Sequence, residues 1–292
     1  MRYFPRLFLA VVAALTLAAC NKSAPKTETA ASKDSTPIRY EAVGKGDVAL
    51  VFVHCWTCNR GFWDAQAAYF APRFQVVRLD LAGHGESGKE QRKDYTVEAF
   101  GDDVAAVVNQ LGLKKVILIG HSLGGPVVVA AEKSLGDRVI GVVAVDAFYT
   151  DFDVPKDEKV AREFSAKFLK PFDEKFAETT ETFMRSVFGP NANAGLVDRI
   201  AKNAAAADRG MALSAIKNDF SWYIANADAE LKRVGAKLRN INADPKDEDK
   251  KRHDSVVLIA GAGHFVAQEK PAEFNRALEQ ISQEFIGKDQ KK

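Results

Sequence analysis

Ser122 has a glycine two positions before it and two after it, in the run Gly120-His121-Ser122-Leu123-Gly124. Glycines at those places leave room for crossing backbone, so the serine can sit on a sharp turn with its hydroxyl standing clear. A serine hydroxyl is a poor nucleophile until a base takes its proton as it attacks, and that base needs a carboxylate to orient it. The chain offers five histidines, His54, His84, His121, His253 and His264, and many carboxylates. A second chemical spacing is Cys55-Trp56-Thr57-Cys58. In an exported protein such a pair can close a small disulfide, act as a redox dithiol or remain two packed thiols. Zinc would need a second pair of ligands at suitable spacing, and the sequence has none.

The elements around these residues are legible from their patterns. Lys114 to Ile119, before the serine, is a short β-branched run that reads as a buried strand, and Pro126 after it suits the first turn of a helix. Further strands are expected over 38–43, 48–53, 74–80, 138–146, 237–241 and 255–260. The run 237–241 is the weakest of these because it carries polar residues. Helices are expected over 59–70, 96–111 and 271–285, with Gly112 as a C-terminal stop and Pro271 as a start. Between 147 and 231 strand runs cease. Phe164, Phe168, Phe172, Phe176, Phe183 and Phe188 recur there at helical spacing, which predicts helices packed by phenylalanine. One or two of those rings facing a cleft would give it an apolar wall suited to an acyl or aromatic group.

Strand, G-x-S-x-G and helix in this order resemble the nucleophile elbow of the α/β-hydrolase family. The loop Asp80-Leu81-Ala82-Gly83-His84-Gly85-Glu86-Ser87 is similar to a structural loop of that family, which makes His84 a turn residue. The resemblance implies a mostly parallel central sheet flanked by helices, with residues 38–146 and 232–292 as core. It implies that 147–231 is a helical cap inserted after the sixth strand of the family fold. It further implies Ser122 as nucleophile and His264, in Gly263-His264-Phe265 after the last strand, as base. Trp56 and Leu123 would supply the backbone N–H groups of the oxyanion hole. Cys55 departs from the family's His-Gly-x, since the glycine after His54 is missing. The acid is expected at Asp244, after the seventh strand, with Asp146 at the end of the sixth strand and Asp247 as alternatives.

The N-terminus reads as a targeting segment. Arg2 and Arg6 precede an apolar stretch, Leu7 to Ala19, that is too short to span a bilayer as a helix. Leu17-Ala18-Ala19-Cys20 resembles the bacterial lipobox, which implies a signal peptide over 1–19 and acylation of Cys20. Asn21 after that cysteine implies the outer membrane and a periplasmic location. Residues 20–37 carry Lys, Ser, Thr and two prolines without apolar periodicity, and are expected to be a flexible tether of roughly 20–25 Å. Formal net charge is +2, and both excess charges lie at Arg2 and Arg6. The rest is near neutrality, which argues against a nucleic-acid partner.

These readings combine into a lipid-anchored serine hydrolase acting on an ester or similar small acyl compound, with no cofactor and no metal. Two alternatives stay open. One is a non-catalytic envelope binding protein on the same fold, and the other is a C-x-x-C thiol oxidoreductase.

Overall fold

The computed structural model describes residues 26–150 and 154–291. The signal segment and Cys20 lie outside the described residues. Among the described residues an eight-stranded sheet runs in the order β1-β2-β4-β3-β5-β6-β7-β8. Its strands are β1 (Thr27–Ala31), β2 (Pro37–Val43), β3 (Ala49–Val53), β4 (Gln75–Leu79), β5 (Val116–His121), β6 (Val139–Val145), β7 (Leu238–Ala243) and β8 (Val256–Ile259). β1 and β2 pair antiparallel and β2 lies antiparallel to β4, while the others are parallel. β3, β5 and β6 are buried along their whole length, as expected of strands covered on both faces.

The helices on the two faces are α1 (Asp64–Phe70), α2 (Val97–Gln110) and α3 (Gly124–Leu135), and later α9 (Glu248–Lys251), α10 (Val266–Glu269) and α11 (Pro271–Asp289). Thr96 caps α2 by accepting from the Ala99 amide, and Pro271 opens α11. The expected helix over 59–70 instead begins as a short 3-10 turn, Arg60–Trp63, capped by the Asn59 side chain.

Between β6 and β7 the described residues form five helices: α4 (Glu158–Glu174), α5 (Phe176–Ser186), α6 (Ala194–Ala205), α7 (Arg209–Ala225) and α8 (Ala227–Val234). Phe172 and Phe176 are buried, and the Phe168 ring lies within 5.7 Å of those of Phe172, Phe183 and Phe220. The phenylalanine pattern therefore holds the helices to one another, and α8 carries the helical segment a few residues past the expected boundary at 231.

The flexible tether expected over 20–37 is corrected from residue 27 onward. Thr27–Ala31 pairs along its length with β2 and becomes the edge strand of the sheet. Just after it, the Ser32 hydroxyl donates to Asp103 Oδ1 at 2.5 Å, in a buried cluster completed by Arg92 Nη2 at 2.6 Å and the Ala82 amide. Arg92 also binds Asp34. Burial raises the Asp103 carboxyl to about 6 despite the arginine. Arg92→Ala would leave that acid without its cation, and is expected to cost about 3 kcal/mol, measured as a lowered urea midpoint.

Candidate active site

Ser122 stands between β5 and α3 with φ at +53°, the left-handed value of a strained elbow. Its amide donates to the Val145 carbonyl at 2.9 Å and its carbonyl accepts from Gly125, which ties the bend to β6 and to the helix start. A side chain at Gly120 would meet the Gly124 carbonyl, and one at Gly124 would meet the Val53 carbonyl. Both glycines are therefore required by close backbone approach.

His264 lies in the loop between β8 and α10. Its Nδ1 contacts Asp146 Oδ2 at 2.7 Å, and Asp146 Oδ1 accepts from the Ala243 amide at 2.9 Å. Asp146 has φ at +45°, and its own amide donates to the Ile241 carbonyl. The structure thus pairs His264 with Asp146 and not with the expected Asp244. Asp244 is half exposed and faces Lys251 at 3.7 Å, whereas Asp247 caps α9 through the Asp249 amide. The physical reason is that β6 and β7 run parallel as neighbours, so both acids leave adjacent strand ends, and the left-handed bend at Asp146 turns its carboxylate toward the histidine loop.

With Nδ1 occupied, the other ring nitrogen of His264 remains, and Ser122 and His264 line the same cavity. Among the described residues the Ser122 hydroxyl has no hydrogen-bond partner. Such contacts in free enzymes are often long and tighten only when substrate is bound.

The loop carrying His264 is held from three sides. Its amide donates to the Val187 carbonyl at 2.7 Å, and its carbonyl accepts from His121 Nε2 at 2.8 Å. Glu269 accepts from the Gly263 amide with one oxygen and from Gly189 with the other, joining the loop to the segment between α5 and α6. A side chain at Gly263 would meet the Gly189 amide, so glycine before His264 is a packing requirement.

The remaining histidines have structural settings. His54 is fully buried, with Nδ1 donating to the Cys55 carbonyl and Nε2 accepting from the Leu81 amide, and burial lowers it to about 4. His84 is buried against His54 and Phe100, with its value lowered to about 3 by burial first. Burial likewise holds His121 well below the usual imidazole range. His253 stacks on Tyr149.

Trp56 and Leu123 line the cavity, and among the described residues neither backbone amide donates to a protein acceptor. The Trp56 indole donates to the Ala212 carbonyl on α7 at 2.8 Å, and its ring meets Phe172 and Phe176 edge-on. Cys55 and Cys58 form a disulfide around this turn, with Cα atoms 5.3 Å apart. Both are buried, at 2% and 3% exposure, with Cys55 bordering the cavity. The missing family glycine is thus answered by a covalent closure of the loop.

The cavity has a volume of about 530 Å³. Phe168, Phe183 and Phe188 stand in its wall, more rings than the one or two expected. Sequence reasoning missed Glu269, Asp219 and Asn242. Asn242 is buried in β7 and donates to the carbonyls of Phe148 and Tyr149, which anchors the chain just past Asp146. Asp219 was signalled only by an acid in the apolar stripe of a helix, three after Ile216 and four before Tyr223.

Comparison with known proteins agrees with this architecture. The pattern of the alpha/beta hydrolase family matches residues 50–277. The chain is 38% identical over 96 residues to a bifunctional esterase/perhydrolase of Acinetobacter calcoaceticus, a stretch covering 32% of this chain and 34% of that one. It is 34% identical over 121 residues to a non-heme chloroperoxidase of Burkholderia pyrrocinia, covering 40% and 43%. The matches thus span well under two thirds of the curated relatives' length. Among solved structures, a thermophilic esterase from Thermogutta terrifontis superposes with a TM-score of 0.73 at 21% identity, over 89% of this chain and 99% of that one. A bromoperoxidase from Bacillus anthracis gives 0.75 at 21%, over 88% and 100%. At such identities the likeness shows the fold.

Proposed function

The chain belongs to the alpha/beta hydrolase family, and from that premise we propose that it is a serine hydrolase cleaving an ester or similar acyl compound through an acyl-enzyme on Ser122. What carries the reading is the contact of His264 Nδ1 with Asp146, in a cavity that also holds the strained serine. Ser122 Oγ attacks the acyl carbonyl while His264 Nε2 takes its proton. Asp146 fixes the tautomer and stabilises the imidazolium. The oxyanion accepts from the Trp56 and Leu123 amides at the start of α3. The tetrahedral species collapses as His264 returns the proton to the leaving alcohol, and a water activated by the same nitrogen then releases the acid.

A fluorophosphonate probe tests the reading, because it reacts only with an activated serine. Modification of Ser122 in the parent is expected, and an unlabelled, folded protein would refute it. The disulfide supports the oxyanion loop in this scheme. The pair Cys55→Ser with Cys58→Ser is expected to lower kcat roughly tenfold, a fraction of what a lost oxyanion donor costs, while KM moves little in steady-state assays.

The proposal extends to the N-terminus, where acylated Cys20 would anchor the enzyme in the bacterial envelope. Because β1 begins at Thr27, only residues 21–26 separate that cysteine from the sheet. They reach at most about 20 Å, so the domain would ride close to the lipid surface.

A further inference from the structure

The wall that the inserted helices give to the cavity is largely apolar, but it carries an acid that the acyl-transfer scheme leaves unused. Asp219, on α7, shares the cavity-facing stripe with Ile216, Phe220 and Tyr223. Its Oδ1 is out of solvent reach and has no hydrogen-bond partner among the described residues. A carboxylate whose buried oxygen has no partner is costly, and burial pushes this one up to about 7. Packing gives no account of an acid there, since an aliphatic side chain would fill the same wall without that cost.

Its surroundings narrow what it could bind. The rings of Phe168 and Phe220, 5.4 Å apart, and of Tyr223 line the cavity with it. The Tyr223 hydroxyl is already committed, donating to the Ala147 carbonyl at 2.6 Å. The other titratable groups lining the cavity are Asp146 and His264, bound to each other, Asp244 facing Lys251, and Lys246, which has an interaction of its own. A carboxylate without a protein donor, beside aromatic rings, has the chemistry that recognises an alkylammonium group: opposite charge from the acid and negative ring faces from the aromatics. An anionic group would instead meet, among the described residues, three lining carboxylates, Asp219, Asp146 and Asp244, against the single lining ammonium of Lys246.

We propose that Asp219 and the rings beside it form a subsite for a positively charged substrate group, an alkylammonium carried by the ester. The inference rests on the serine-hydrolase reading for the chemistry done to that ester, but not for the binding itself. The ammonium would stand against the inserted helices while the acyl carbon lies at Ser122.

Two isosteric pairs test it, choline against 3,3-dimethylbutanol for binding and their acetate esters for turnover. By calorimetry at about pH 8 the parent is expected to bind choline roughly tenfold more tightly than the neutral alcohol. That preference should collapse in Asp219→Asn, and also in the parent at about pH 5, where the acid is protonated. Asp219→Leu, which keeps the wall filled, provides a second variant should the amide unfold. The ratio of kcat/KM for the two esters should follow the same pattern. An equal preference in parent and variants, or tighter binding of the neutral alcohol, would overturn the subsite. Hydrolysis of both esters without preference would remove the subsite and leave the hydrolase reading standing. Binding that depends on Asp219, with neither ester cleaved, would uphold the subsite and count against the hydrolase reading.

Discussion

Ser122→Ala is expected to lower kcat for a short p-nitrophenyl ester by roughly 10⁴-fold or more, leaving only the residual acceleration that the oxyanion amides and the cavity supply. The substitution removes the protein oxygen that the scheme asks to form a bond to the acyl carbon, whereas the two oxyanion amides and the cavity remain. Substrate affinity should therefore change little while turnover disappears. The fold should tolerate the change, because the tight approach is made by the glycines at 120 and 124 and not by the serine side chain. Relief of the left-handed φ is not expected, since alanine must adopt the same +53°. Turnover in the alanine variant comparable to the parent's would defeat the nucleophile assignment.

Asp146→Asn should come close to the same severity, a fall of roughly 10³–10⁴ in kcat. The amide preserves shape and can still meet the Ala243 N–H. It cannot supply the negative charge that supports the imidazolium, and its NH₂ group favours the wrong tautomer of His264. Asp244→Asn is the paired control. Its carboxylate is half exposed and faces a lysine, so turnover should stay within about threefold of the parent, the scale of a screened surface charge. The reverse ranking, with Asp244→Asn the more damaging, would show that the histidine loop re-pairs during the reaction.

The difference between these two aspartates illustrates where reading the chain stops. Both follow an expected strand, both precede a loop, and both come before His264 in the chain. Choosing between them depends on a backbone bend of one residue and on the register Val145 opposite Ile241. Neither leaves a local mark in residue type. The edge strand is a similar case. Thr-Glu-Thr-Ala-Ala buries only Ala30, so it shows no alternation strong enough to separate it from a tether. Its strand conformation comes from hydrogen bonds to β2 and from the Asp103 cluster, both supplied by distant parts of the chain. Asn242, outside the expected strand 237–241, likewise shows its role only through distant partners, the carbonyls of Phe148 and Tyr149.

The sequence by itself determined what depends on neighbours along the chain: the buried parallel strands, the serine turn between its glycines, the histidine after the last strand and the helical segment bound by phenylalanine. These follow from side-chain period and backbone sterics within a few residues. Only the tertiary structure decided which acid meets His264, that Cys55 and Cys58 are joined, that Glu269 clamps the histidine loop, and that Asp219 stands unpartnered in an apolar wall. Those facts depend on contacts between residues far apart in the chain, whose directions and solvent exposure are set by how whole elements pack.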